Sequence, residues 1–237
     1  MQDGGIQWLR YAWVHEHFPR KLTRSIYQTH KQHLRPEDHD RRLDHLLWAG
    51  RRGDARGMLS LVPAKQRRLA EARMALMARA AGVDAKVAAV PAELRNDPGL
   101  IYERARWRRR NGLDQGARDL LAAPLASVGP QPAKWWTERR IAAREALQDG
   151  AHDIAYRIAA QHGQVPGSIG YAEGEWLAGW IALRFLSRHE QALAHFTDLY
   201  ANVRYPVSQA RAAYWAGRAS EALRRTEDSA RWYGIAA

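Results

Sequence analysis

Five arginines, Arg104, Arg106, Arg108, Arg109 and Arg110, fall within seven residues around Trp107 in the segment YERARWRRRNGLD. Guanidinium groups at that density attract polyanions such as nucleic acid, anionic lipid or an acidic polymer. On a helix, Leu100 and Trp107 share one face with Arg104 between them, so Trp107 reads as a packing residue rather than a stacking platform. Arg106 and Arg109 lie near Tyr102 on another side. Two readings stand. Either Arg104, Arg106, Arg108 and Arg109 line a basic groove that holds an anionic substrate, or they form a solvated face whose stems cover apolar surface. A second candidate is the pair Trp135 and Trp136. Adjacent helical residues cannot both point inward, so at least one is expected to face a ligand groove as a substrate-binding aromatic.

Other chemistry is thin. His15 and His17 are two apart, which on a helix turns them about 200° from each other and does not match the His-Glu-x-x-His zinc spacing. Asp38-His39-Asp40 and Asp44-His45 lack a third and fourth ligand, so no metal site is assigned; His39 and Asp40, near a helix start, read as capping and charge decoration. Arg52-Gly53-Asp54 resembles an adhesion tripeptide but is ordinary turn chemistry. There is no glycine-rich phosphate loop, nucleophile elbow or evident carboxylate pair. No catalytic residue and no cofactor is assigned.

The elements that must position these residues are helical. The 237 residues are 46% apolar and 26% charged, with a formal net charge of +12. That is an ordinary globular balance rather than a disordered one. The charge is uneven: residues 51–118 hold 16 Lys+Arg against 7 Asp+Glu, whereas residues 119–237 hold 13 against 12. The absence of cysteine excludes disulfides, thiolate metal sites and cysteine nucleophiles. No run approaches the ~18 apolar residues of a membrane span. The N-terminus lacks a signal-peptide pattern, and the C-terminus stops in a helical pattern, as expected of a piece of a longer protein.

Ala, Arg, Leu, Glu and Gln dominate, and alternating β-branched runs are missing, which predicts an all-α fold. Asp97-Pro98 reads as a helix start, Asn111-Gly112 as a left-handed stop, and Asp114 as the next cap. Helical hairpins are expected over 40–61, 97–123, 135–161, 173–200 and 207–237. Longer connections are expected at 124–134 and 163–170. An offset of 38 relates Trp176 to Tyr214, Gly179 to Gly217, Ala192 to Ala230, and Gly112 to Gly150. A period of about 34–40 with two helices per unit predicts one α-solenoid of degenerate tetratricopeptide-like hairpins over 1–237. Small Ala192 lets the second helix approach, and Phe196 fills the groove between units. The repeats are degenerate, since Glu221 stands where Leu183 stands one period earlier.

The segment RNDPGLIYERARWRRRNGLDQGARDLL (95–121) resembles the soluble lytic transglycosylases of Gram-negative bacteria, in the helical superhelix that precedes their catalytic domain. HFPRKLTRSIYQTHKQHL with RRLDHLLWAGRRGDARGML resembles its early hairpins. KWWTERRIAAREALQDGAHDIAYRIAAQHG, YAEGEWLAGWIALRFL and YPVSQARAAYWAGRA resemble later ones, in the same order. The resemblance implies a periplasmic protein whose curved superhelix supports a lysozyme-like domain cleaving peptidoglycan to 1,6-anhydromuramic products. The family's catalytic Glu-Ser dipeptide and Gly-Leu-Met-Gln motif are absent here, so no residue inherits the catalytic role and the chain alone is expected to be inactive. Its implied partners are peptidoglycan glycan strands, with their carboxylates, and a C-terminal catalytic domain. The alternatives are a generic tetratricopeptide-like protein-interaction module and a nonspecific nucleic-acid binder.

Overall fold

The computed structural model describes residues 2–124 and 128–237. Among these residues there is no strand, and fourteen α-helices follow one another. They are α1 (Gln2–His15), α2 (Arg20–His30), α3 (Pro36–Trp48), α4 (Arg52–Met58), α5 (Ala64–Ala78), α6 (Val83–Ala88) and α7 (Pro98–Arg110), then α8 (Asp114–Ala122), α9 (Pro132–Gln148), α10 (His152–Ala160), α11 (Ile169–Arg184), α12 (His189–Asn202), α13 (Pro206–Ala222) and α14 (Thr226–Ala236). Four of them begin on proline, whose fixed φ and missing N–H suit the first helical position. At α7 the Asp97 carboxylate accepts from the Leu100 N–H at 2.8 Å, the expected cap. At α8 the cap position is Leu113, and Asp114 is the first helical residue, without a side-chain capping bond. At α3 the capping carboxylate is Asp38, accepting from the Arg35 N–H at 2.9 Å, rather than His39 or Asp40. His39 is buried, edge-on to the Trp13 and Tyr27 rings, each 5.7 Å away.

One turn shape recurs. Gly50, Gly112, Gly150, Ser187 and Arg224 all take positive φ, between 53° and 73°. The next residue (Arg51, Leu113, Ala151, Arg188, Arg225) holds φ between −96° and −82° and ψ between 55° and 76°. Its N–H reaches back to a carbonyl of the finished helix, as in Leu113 to Arg108, Ala151 to Ala146 and Arg225 to Ser220, each 2.8–2.9 Å. This is the 6→1 bond of a Schellman stop. The last four left-handed positions are spaced 38, 37 and 37 residues apart.

The chain groups into two compact units, residues 1–107 and 108–237. In the first, α3 packs on α1, α4 and α5, and α6 packs on α5. Its core joins Trp13, Leu43, Leu46, Leu47, Met58 and Met74. A second apolar group of Leu69, Leu76, Val83, Val90 and Leu100 takes in Trp107, the packing role read from its spacing. In the second unit each helix touches its chain neighbours, and α8 also touches α10, α9 touches α11, and α11 touches α13. Small residues permit this approach: Ala142, Ala146, Ala155, Ala178, Ala182, Ala212, Ala216 and Ala219 are all fully buried. A Cβ on Gly179 would sit 2.8 Å from the Phe196 ring, and one on Gly217 would sit 2.7 Å from the Tyr233 ring. Two glycines 38 residues apart thus cradle aromatics 37 apart.

The expected hairpins at 40–61, 135–161, 173–200 and 207–237 correspond to packed pairs α3/α4, α9/α10, α11/α12 and α13/α14. Helices α7 and α8 fall on the expected hairpin at 97–123. The expected connection at 124–134 includes residues 125–127, which lie outside the described residues; α9 already begins at Pro132 within it. Helix α11 starts earlier than read, where the Ser168 hydroxyl accepts from the Tyr171 N–H at 3.1 Å.

Candidate functional site

The boundary between the two units falls inside α7, between Trp107 and Arg108, so the arginine cluster is divided. Arg104 and Arg106 are half-buried in the first unit, and Arg106 lies 3.8 Å from the Glu103 carboxylate one turn back. In the second unit Arg108 donates to the Gly116 carbonyl at 3.0 Å. Arg109 forms a two-pronged pair with the buried Glu138, at 2.7 and 3.1 Å. Bidentate geometry of this kind fixes the guanidinium. Arg106, Arg108 and Arg109 thus each have an acceptor within the protein, and Arg109 is held most firmly.

Trp135 and Trp136 are both buried, at 0% and 5% exposure, so the expectation that one faces a groove is corrected. The reason is that α9 is covered on more than one side, by α8 and α10 and by α11. Trp135 lies under the Arg139 guanidinium, 5.1 Å from its ring, and Trp136 donates its indole N–H to Glu173 at 2.7 Å.

Two features of the second unit are chemically more pointed. The first is a buried relay. The Glu175 carboxylate accepts from His162 Nε2 at 2.8 Å and from His195 Nδ1 at 2.6 Å, and His195 Nε2 lies 3.1 Å from the Tyr156 hydroxyl. The Gln164 N–H donates to His162 Nδ1 at 3.0 Å, which leaves the ring proton on Nε2. Burial pushes the Glu175 carboxyl up, but the two histidine hydrogen bonds and histidine charge outweigh it and hold it at about 2. An acid ionised that firmly cannot lend a proton at neutral pH, so the relay is a structural clamp tying α11 to α12 and to the end of α10. Among the described residues no group of three or more His, Asp or Glu is placed to hold a metal ion.

The second feature is a groove of about 950 Å³ at the starts of α11 and α13. Glu173, Asn202, Arg204, Ser208 and Arg211 line it together with Tyr205, whose ring is 74% exposed. Arg211 is steadied over Trp176, 5.6 Å from its ring. Arg204 is exposed. An open aromatic face beside amide, hydroxyl and guanidinium donors suits a sugar bearing carboxylates, because the ring packs on C–H groups while the donors fix the polar edge.

No family model, no curated protein and no solved structure matches the chain.

The groove and the relay both escaped sequence reasoning. Tyr205 stands in a short turn, Val203 to Tyr205, whose sequence reads only as a loop. Glu175 left one signal, a carboxylate amid the apolar run of α11, but its partners His162 and His195 lie 13 and 20 residues away and come together only through helix packing.

Proposed function

We propose that the chain is a helical-repeat scaffold, an α-solenoid of tetratricopeptide-like hairpins, that holds peptidoglycan strands for a lysozyme-like catalytic domain following it, in the periplasm. The observation that carries this reading is the recurrence of one turn at 37–38-residue spacing, with second-neighbour contacts between alternate helices in the second unit. That pattern is how hairpin repeats stack. The transglycosylase resemblance supplies the substrate class, and the groove around Tyr205 replaces the arginine cluster as the place where a strand rests.

Co-sedimentation with purified sacculi tests this. The chain is expected to pellet with sacculi. Tyr205→Ala combined with Arg204→Gln is expected to weaken retention about tenfold, the equivalent of about 1.4 kcal/mol. It is also expected to release no anhydromuropeptides. Retention unaltered by the double substitution sinks the groove; no retention at all sinks the scaffold reading. A protein-interaction module is the second reading, favoured by Val165, Ile169 and Val207, which are 63%, 78% and 82% exposed.

A further inference from the structure

A cavity of about 620 Å³ opens in the first unit, between α2, α3 and α4, and belongs to none of the features above. Its volume is that of a small-molecule site, about 300–1,000 Å³. Arg20, Lys21 and Arg24, from the first turn and a half of α2, line it, are exposed, and have no ion-pair partner among the described residues. The acid on its wall, Asp54, already has Arg51 at 3.4 Å and His17 at 3.9 Å. Helix α2 begins after Pro19 without a side-chain cap, so its first N–H groups are left for water or a ligand.

A second, independent feature lines the same cavity. Arg42 is only 2% exposed and stacks on the Trp13 ring, 4.6 Å away. Its Nη1 donates to the Trp13 and Glu16 carbonyls, while its Nε has no partner. Arg42 lines the cavity, and it is its buried positive charge, rather than the enclosed Nε, that favours an anion there. The rest of the wall is mixed: Leu46, Met58 and Leu61 lie beside the half-buried Tyr27, with Thr23, Gln28 and Ser60 as its polar members.

We propose that this cavity binds a small amphipathic anion: a phosphate or carboxylate held by Arg20, Lys21, Arg24 and Arg42, with an apolar body against Tyr27 and Met58. The site does not depend on the groove around Tyr205 and stands or falls separately from it. A nucleotide and a fatty acid share the required chemistry.

The full chain is titrated with 1-anilinonaphthalene-8-sulfonate and with the uncharged N-phenyl-1-naphthylamine, which has the same apolar body. The expected result is saturable one-site binding of the anionic dye, at least tenfold tighter than the neutral one. The triple variant Arg20→Gln, Lys21→Gln, Arg24→Gln is expected to weaken the anionic dye at least tenfold and leave the neutral dye within twofold. Gly57→Phe is expected to abolish dye binding, because Gly57 lines the cavity and a Cβ there meets nothing within 4 Å. Far-UV circular dichroism of each variant must match the parent. Displacement by adenosine triphosphate assigns the ligand to the nucleotide class and displacement by laurate to the lipid class. Displacement by neither, displacement by inorganic phosphate alone, equal affinity for both dyes, or a triple variant that binds like the parent overturns the proposal.

Discussion

Two buried titratable residues set the acid limits of the two units, in different pH windows. Burial lowers the His39 pKa below its ordinary 6.5, against the pull of Asp38 and Asp40. The folded state thus favours neutral His39, and its contribution is lost as pH falls below 6.5. The Glu175 carboxyl, held at about 2 against an ordinary 4.5, contributes above 4.5 and loses that contribution between 4.5 and 2. Urea unfolding followed from pH 8 to pH 3 checks both. His39→Leu is expected to reduce the loss below pH 6.5, the rest of which includes His45, also lowered by burial, and to leave the lower window intact. Glu175→Gln is expected to flatten the window below 4.5 and to cost about 3 kcal/mol at neutral pH, because one amide cannot accept from both histidines. Equal slopes for parent and variants would remove these residues from the account. At this scale the sequence was a poor guide: it showed a carboxylate in an apolar helix, but not which histidines answer it.

At the scale of elements the sequence was far more legible, because start and stop signals act locally. The Asp97-Pro98 opening and the glycine stops at 112 and 150 were readable, whereas the openings at Pro36, Pro132 and Pro206 fell outside the expected hairpins. The recurrence was partly hidden, since the next two stops of this shape are the non-glycines Ser187 and Arg224, with φ of 53° and 59°. A Cβ in that conformation costs roughly 1–2 kcal/mol, partly offset by the lower unfolded-state entropy of a non-glycine residue. Ser187→Gly and Arg224→Gly are therefore expected to raise stability by about 0.5 kcal/mol each, and Gly150→Ala to lower it by about 1 kcal/mol. Chemical denaturation midpoints check this; a stabilising Gly150→Ala would mean the turn is not held as described. The helices α1, α2, α5 and α6 had no place among the expected hairpins, although Gly82 between α5 and α6 takes a φ of 73° like the stops that were read.

For the whole molecule, net charge was plain in the composition, and where that charge is spent was not. Among the described residues Arg42, Arg73, Arg118 and Arg139 are nearly buried, and Arg73 and Arg118 each pair with an aspartate at 2.6 Å. Arg188 with Asp153 and Arg225 with Glu190 repeat one exposed pair at successive turns, each 2.6 Å. The formal +12 is already net of such pairs, but burial withholds Arg42 and Arg139 from any polyanion at the surface. Duplex DNA is expected to bind without sequence preference, with a log–log salt slope of about 3–5, well below what twelve phosphate contacts would give. A slope near 10 would restore nucleic acid as the natural partner.

The recurring turn has an evolutionary consequence. The left-handed stop and the cap position after it return every 37 or 38 residues from Gly112 to Arg224, with an acid–arginine pair at the last two, so on the proposed repeat reading length in the second unit changes by whole periods. A duplication or excision of one period joins a stop to a cap of the shape it already had, so descendants can grow or shrink by whole hairpins without inventing a new junction.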